Sequence, residues 1–332
     1  MTTVITGATG CLGMSLTQRL LQEGHEVIAL GRNLEHGAKL EQFGATFIAC
    51  DITSQEPLKT ICQPAKLIFH CAALSSTWGK KNDFYQANVI GTQHVIEATP
   101  SGAKLIYVST PSIYFDFTEK HQIKENSILP RHMVNDYATT KFLAEKLIDH
   151  AWQEKNLPVI TLRPRGIFGP YDKSIFPKIL SLEKNGTLPI IGSGQQVVDI
   201  TYVDNVVEAL ILASQASTDC YGKKYNITND EPMTFLNIIA MLYRLMDKPL
   251  ECKHYSYKTA LHTARLIEIA YRFFHLKRAP KLTKYSVGVC ALGQTLNIDA
   301  AKNELGYRPI CAIEKGLQHF IDWYSNDYLS TF

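Results

Sequence analysis

A short apolar run, Val4-Ile5, breaks into Thr6-Gly7-Ala8-Thr9-Gly10-Cys11-Leu12-Gly13, and leucines then recur at helical spacing as Leu12, Leu16 and Leu20. No other stretch restricts the fold as tightly. Glycines at a strand-to-helix turn let a pyrophosphate approach bare backbone at a helix N-terminus, where peptide dipoles and unpaired N–H groups favour an anion. The turn therefore predicts a dinucleotide site lined by Gly7, Thr9, Gly10, Cys11, Leu12 and Gly13. The first half of the chain agrees with this. Apolar runs near 3–6, 26–30, 46–50, 66–70, 104–109 and 158–162 alternate with helical patterns. That alternation belongs to a parallel sheet covered on both faces, a doubly wound α/β fold.

A second constellation lies downstream. Tyr137-Ala138-Thr139-Thr140-Lys141 puts a phenol and an ammonium one helical turn apart, close enough for the cation to lower the phenol's pKa. Before it, Leu105-Ile106-Tyr107-Val108-Ser109-Thr110 reads as a buried strand ending in hydroxyls. Reducing a carbonyl needs a hydride donor at the carbon, a proton donor at the oxygen and a hydrogen bond to the developing oxyanion. Tyr137 is the expected proton donor. Lys141 would lower its pKa and hold the nicotinamide ribose. Thr110, ahead of Ser109 or Ser112, would donate to the substrate oxygen.

The second strand ends Leu30-Gly31-Arg32-Asn33, without the carboxylate that usually meets a free ribose 2′-hydroxyl. A guanidinium suits a 2′-phosphate, so NADP(H) is favoured over NAD(H). Arg32 stacked on adenine or simply solvated stays open as an alternative.

Taken in order and spacing, these motifs resemble the extended short-chain dehydrogenase/reductases, the NAD-dependent epimerase/dehydratase family. The resemblance is carried by Gly7, Gly10 and Gly13, by Asp51 closing the third strand, and by His70-Cys71-Ala72-Ala73. Asn88-Val89-Ile90-Gly91-Thr92 and Arg163-Pro164-Arg165-Gly166-Ile167-Phe168-Gly169-Pro170 extend it. It implies a Rossmann-type sheet, cofactor contacts from Asp51, Ile52, Ala72, Ala73, Asn88, Pro164 and Ile167, and a homodimer formed through helices near 88–99 and 137–151. Asp51 would meet the adenine amine.

Within this superfamily the chain is similar to the 3β-hydroxysteroid dehydrogenase-like branch, and there to the 2-alkyl-3-oxoalkanoate reductases. Val108-Ser109-Thr110-Pro111-Ser112-Ile113-Tyr114-Phe115, Asp199-Ile200-Thr201-Tyr202-Val203-Asp204-Asn205-Val206-Val207 and Leu305-Gly306-Tyr307-Arg308-Pro309 carry that likeness. It implies substrate contacts from Ser75, Trp78, Ser112, Arg165, Phe168 and Tyr202. Pro111-Ser112 stands where sugar-nucleotide dehydratases carry acid/base carboxylates, and Val198 where sugar-nucleotide epimerases place an arginine. The expectation is an NADP(H)-dependent enzyme interconverting a ketone and a secondary alcohol on a hydrophobic 3-oxoacyl- or sterol-like substrate. A nucleotide-sugar epimerase and a non-catalytic NADP(H)-sensing or scaffold protein are the rivals, the latter opposed by the intact Thr110, Tyr137 and Lys141.

Beyond Pro164 the pattern shortens. Residues 1–164 are expected to form the cofactor domain, with a return strand near 225–227, and 165–332 a smaller α/β substrate lobe. Residues 188–192 and 197–203 read as strands, followed by a helix from Asp204 to about Ser214. In 252–286, Lys253, Lys258, Arg265, Arg272, Lys277, Arg278, Lys281 and Lys284 face only Glu268, and 260–276 reads as a helix with a broad apolar surface. Such a segment is either a lid over a greasy substrate or an ordinary core helix. Its basic flank would suit an anionic membrane or an acyl carrier. No nucleic-acid motif accompanies it. The scattered cysteines read as reduced core residues with no metal site. A first strand at about Thr3 and the lack of a long apolar run point to a cytoplasmic protein.

Overall fold

The computed structural model describes residues 1–274, 276 and 279–328. In chain order its strands are β1 (Thr2–Thr6), β2 (Glu26–Gly31), β3 (Thr46–Ala49), β4 (Leu67–His70), β5 (Lys104–Val108), β6 (Lys120–Ile123), β7 (Val159–Pro164) and β8 (Ile167–Phe168). Then come β9 (Thr187–Ile191), β10 (Val197–Val198), β11 (Thr201–Tyr202), β12 (Lys224–Ile227), β13 (Met233–Thr234), β14 (Glu251–Tyr255) and β15 (Gln294–Leu296). Helices α1 (Cys11–Gln22), α2 (Leu34–Gln42), α3 (Gln55–Cys62), α4 (Lys81–Tyr85), α5 (Gly91–Ala98) and α6 (Asp136–Lys155) belong to the first half. The second half adds α7 (Phe176–Leu180), α8 (Val203–Gln215), α9 (Phe235–Leu245), α10 (Tyr257–Phe273), α11 (Lys284–Ala291), α12 (Asp299–Glu304) and α13 (Ile313–Trp323).

A seven-stranded sheet in the order β12-β7-β5-β4-β1-β2-β3 forms the centre, and its pairs are parallel. Helices cover both faces, so β1 and β4 are buried along nearly their whole length rather than on alternate residues. The strand order reverses between β1 and β4, and in such sheets a crevice opens there beyond the carboxyl ends. Register brings those ends level: Thr6 lies opposite both Leu30 and His70, His70 opposite Tyr107, and Val108 opposite Leu162. The loops that start at Gly7, Cys71, Ser109 and Arg165 therefore open on one edge.

The stretch 197–203, expected as one strand, is two. The Asp199 carboxylate accepts the Leu296 N–H at 2.7 Å, and Thr201 turns to pair with Ile167, so β10 and β11 join different partners. α10 is also unlike a core helix. It buries only Ala260 and Ala264, while Leu266, Ile269 and Phe273 face outward. His275, Lys277 and Arg278 of this segment lie outside the described residues. Among the described residues no helix is long and apolar enough to cross a membrane.

Candidate active site

The glycine loop is shaped by contact as much as by flexibility. Gly7 has φ +71°, and a Cβ there would lie 2.7 Å from the Ala72 backbone; a Cβ at Gly13 would lie 2.3 Å from the Gly7 carbonyl oxygen. Both glycines let backbone pack on backbone. At Gly10 the nearest atom to an added Cβ is the Gly7 oxygen at 3.4 Å, and this residue opens α1 with no side-chain cap. The open side of the loop thus presents bare backbone and a helix N-terminus, which fits a dinucleotide pyrophosphate.

A buried histidine ties this loop to its neighbour. Thr92 donates its hydroxyl to the Asn88 carbonyl at 2.6 Å, so the 2.9 Å contact from His70 Nε2 makes that nitrogen the donor. His70 Nδ1 then accepts from Thr6 Oγ1 at 2.7 Å, and Thr6 in turn accepts the Ala72 N–H at 3.3 Å. Burial, reinforced by the Lys141 charge, drives the imidazole pKa down to about 3, so the ring is neutral. Asn88, expected to meet cofactor, is buried, with its amide committed to the Leu74 backbone at 2.7 and 3.2 Å and to Thr140 Oγ1 at 3.0 Å. It positions the 72–75 loop against α6. Ala73 and Ser75 are exposed on that loop, and the Ile52 side chain packs where a Cβ on Gly91 would stand.

At the end of β2, Arg32 Nη1 lies 3.2 Å from Asp51 Oδ2, with the guanidinium 70% exposed. Burial pushes the Asp51 carboxyl up, but bonds from Thr53 and the Arg32 charge outweigh it and hold it below the usual range. The expected adenine and ribose contacts therefore already form one ion pair at the rim.

Asn135 caps α6 by accepting the Ala138 N–H at 2.8 Å, which sets the helix start one residue before Tyr137. Tyr137 is half-buried; burial raises its phenol to about 12, while the nearby Thr110 hydroxyl works the other way. The expected lowering by Lys141 is not found. That ammonium is buried, donates to the Val108 carbonyl at 2.7 Å and lies 4.3 Å from the Tyr107 ring centre. Desolvation brings its own pKa down to about 7 against the pull of Glu145 and Cys71.

Ser109, one alternative to Thr110, is turned inward and donates to Glu145 Oε1 at 2.5 Å. Glu145 is in turn forked by Arg163, with Nε at 2.9 Å and Nη2 at 2.5 Å, and Arg163 also bonds Tyr114. This buried network underlies the site. Thr110 remains at the cleft: its hydroxyl donates to Ser112 Oγ at 3.1 Å, and Ser112 pairs with Tyr285 Oη at 2.8 Å.

Tyr285 escaped sequence reasoning because it is 173 residues from Ser112. The only local signal is the capping box Thr283–Ser286 that starts α11. Phe115, the bulky residue beside Tyr114, is fully packed, its ring 5.3 Å from Phe117 and 5.9 Å from Tyr285. Phe168 and Tyr202, expected at the substrate, are core residues instead. Their rings are 5.7 Å apart, Phe168 packs edge-on to Phe176, and Tyr202 Oη meets His319 Nδ1 at 2.9 Å. Pairing of β8 with β11 pulls both side chains beneath the cleft floor. Trp78 is half-buried and touches α10, its ring 6.2 Å from Tyr271 and under the Arg272 guanidinium at 5.5 Å. Pro164 ends β7 in the interior, and Ile167 follows it in β8.

The sequence profile of the 3-beta hydroxysteroid dehydrogenase/isomerase family matches residues 4–255. A 2-alkyl-3-oxoalkanoate reductase of Shewanella oneidensis is 32% identical over 328 residues, covering 95% of this chain and 84% of the relative. A mouse (Mus musculus) sterol-4-alpha-carboxylate 3-dehydrogenase, decarboxylating, is 28% identical over 96% of this chain and 89% of its own length. The crystal structure of a UDP-glucuronic acid 4-epimerase from Bacillus cereus in complex with NAD superimposes with a TM-score of 0.78 over 97% of this chain and 96% of that one, at 22% identity. The last is a likeness of fold.

Proposed function

As the chain belongs to the 3-beta hydroxysteroid dehydrogenase/isomerase family of extended short-chain dehydrogenase/reductases, we propose that it reduces a ketone on a hydrophobic 3-oxoacyl-like substrate with NADPH, or runs the reverse oxidation. The observation that carries this reading is the placement of Thr110, at the end of β5, within reach of the Tyr137 phenol, with Lys141 one turn further along α6. Burial keeps the Tyr137 phenol protonated at neutral pH, the form that carries the proton a ketone oxygen needs, and donating it calls for a lowering of that pKa when cofactor and substrate are bound. Thr110 would turn its hydroxyl from Ser112 to the substrate oxygen, offering the second hydrogen bond as charge develops. Lys141, one turn further along α6, is buried and held by the Val108 carbonyl. When bound at the glycine loop, a reduced nicotinamide supplies the hydride. Support for NADP(H) comes from Arg32 at the ribose end of β2 and the lack of a carboxylate there.

The exposed stripe of α10 supports a peripheral role on anionic lipid. Leu266, Ile269, Phe273 and Phe274 lie outward beside Arg265 and Arg272, the composition of an interfacial helix, and Tyr271 joins this helix to Trp78 near the cleft. A homodimer through helices near 88–99 and 137–151 follows from the family. Sedimentation equilibrium tests it.

NADPH oxidation against a panel of 3-oxoacyl compounds and 3-ketosteroids tests the central reading. Turnover should rise with acyl length, since each buried methylene adds about 0.8 kcal/mol. Turnover of steroids alone, or of no ketone, would overturn it.

A further inference from the structure

A chain of hydroxyls runs from the candidate catalytic threonine to the outer helices. Thr110 Oγ1 accepts the Ser112 N–H at 3.2 Å and donates its own hydrogen to Ser112 Oγ at 3.1 Å, and Ser112 Oγ lies 2.8 Å from Tyr285 Oη. A hydroxyl carries a single hydrogen, so that of Thr110 is committed to Ser112. To serve a substrate oxygen it must leave Ser112, whose own oxygen then lacks a side-chain donor unless Tyr285 supplies one. Tyr285 is fixed for that task from the second half of the chain. A capping box between Thr283 and Ser286 starts α11, the Lys284 N–H donates to Glu268 Oε1 of α10 at 2.7 Å, and the Tyr285 ring meets Phe115 edge-on at 5.9 Å. Tyr285 also lies within electrostatic reach of the Tyr137 phenol.

We propose that Tyr285 is a positioning residue for the reduction: its phenol donates to Ser112, Ser112 donates to Thr110, and Thr110 donates to the ketone oxygen. The proposal rests on the ketone-reducing reading above. Only hydroxyl hydrogens rotate about their C–O bonds, and no heavy atom has to move. No covalent bond forms or breaks along the chain, and the proton that the reduced oxygen takes still comes from Tyr137. Aligned donors polarise one another, so the Thr110 hydrogen bond strengthens as negative charge grows on the oxygen. A donor that strengthens there raises the rate rather than tightening the ground state. The oxyanion donor thereby depends on α11 being seated against residues 112–115.

Tyr285→Phe keeps the ring on Phe115 and removes only the hydroxyl. Single-turnover oxidation of NADPH, with whichever of the 3-oxoacyl compounds and 3-ketosteroids is reduced fastest, reads the hydride-transfer step directly. Its rate constant should fall about 3–10-fold in Tyr285→Phe, as for one hydrogen bond, with KM and the Kd for NADPH unchanged within about twofold. A packing loss would also lower that rate, so the deciding comparison is made with the chain already cut. In Ser112→Ala the Tyr285 hydroxyl no longer acts on Thr110, and adding Tyr285→Phe should lower the rate no further. Thr110→Val cuts the chain at its other end, and the same absence of a further loss is expected there; this pair decides the matter if Ser112→Ala does not fold. Equal losses in cut and intact chains would overturn the proposal and make Tyr285 a packing residue. A raised KM with an unchanged rate would overturn it by making the phenol a direct substrate contact. An unaltered rate in Tyr285→Phe would refute it while ketone reduction by the wild type stands. Wild-type protein that reduces none of these ketones would overturn the ketone-reducing reading and the proposal with it.

Discussion

On the dinucleotide edge of the cleft, Thr6, His70, Thr92, Asn88 and Thr140 hydrogen-bond one another or the loop backbone, and Gly7 and Gly13 are fixed by direct backbone contact. On the substrate edge, the Nε of buried Arg165 has no hydrogen-bond partner among the described residues, and α10 turns leucine, isoleucine and phenylalanine outward. The first edge is complete before anything binds, so little ordering accompanies cofactor capture. The second leaves one buried guanidinium nitrogen unpaired among the described residues and turns apolar side chains to the surface. Preorganisation serves the constant chemistry, and unsatisfied groups mark where the variable ligand goes.

The largest effect should come from breaking the completed side. Arg163→Met would leave Glu145 and Tyr114 buried without their partner, and urea unfolding should register a loss of about 3–5 kcal/mol. A loss under 1 kcal/mol would mean that the network beneath the site is not what holds it, and the contrast with Arg165 would collapse. Tyr137→Phe comes next. Turnover should fall by a factor on the order of 10² or more while fluorescence titration shows cofactor affinity nearly unchanged, since packing is kept and the proton donor lost. Near-normal turnover would remove Tyr137 from the mechanism.

Arg32→Ala tests whether the dinucleotide edge is as complete as its hydrogen bonds suggest, because the Arg32 side chain is 70% exposed. NADPH binding should weaken by about 1–3 kcal/mol with NADH little changed. Tighter binding of NADH than NADPH by the unmodified protein would reverse the cofactor assignment. The smallest effect on stability belongs to the open side. Phe273→Ser with Phe274→Ser should change unfolding free energy by no more than about 0.5 kcal/mol, as both rings are exposed. The same variant should lose cosedimentation with anionic vesicles, an association that salt weakens by screening beyond about 10 Å at 0.1 M. A stability loss well above that figure would make α10 a packed element after all.

What could be read from sequence divides along the same line. The Gly7–Gly13 loop and the Tyr137–Lys141 turn announce themselves because strand period, helical period and turn chemistry are local. The 224–227 strand is legible only through the family resemblance. The burial of Phe168 and Tyr202 in the core is not legible, because the pairing of Ile167-Phe168 with Thr201-Tyr202, more than thirty residues away, decides which way they face. The direction of the Lys141 ammonium depends on a carbonyl and a ring from β5. Tyr285 reaches Ser112 across most of the second half, and the unpaired Nε of Arg165 is a statement about every element around it. Periodicity carries no information about such contacts.

The central claim is net hydride transfer to a substrate ketone. Incubating the protein with NADPH deuterated at nicotinamide C4 on the transferred face and a 3-oxo acid, followed by mass spectrometry of the product alcohol, measures that transfer atom by atom. The account expects one deuterium at the carbinol carbon and an equivalent amount of NADP⁺. Deuterium retained on the cofactor, with no alcohol formed, would contradict it.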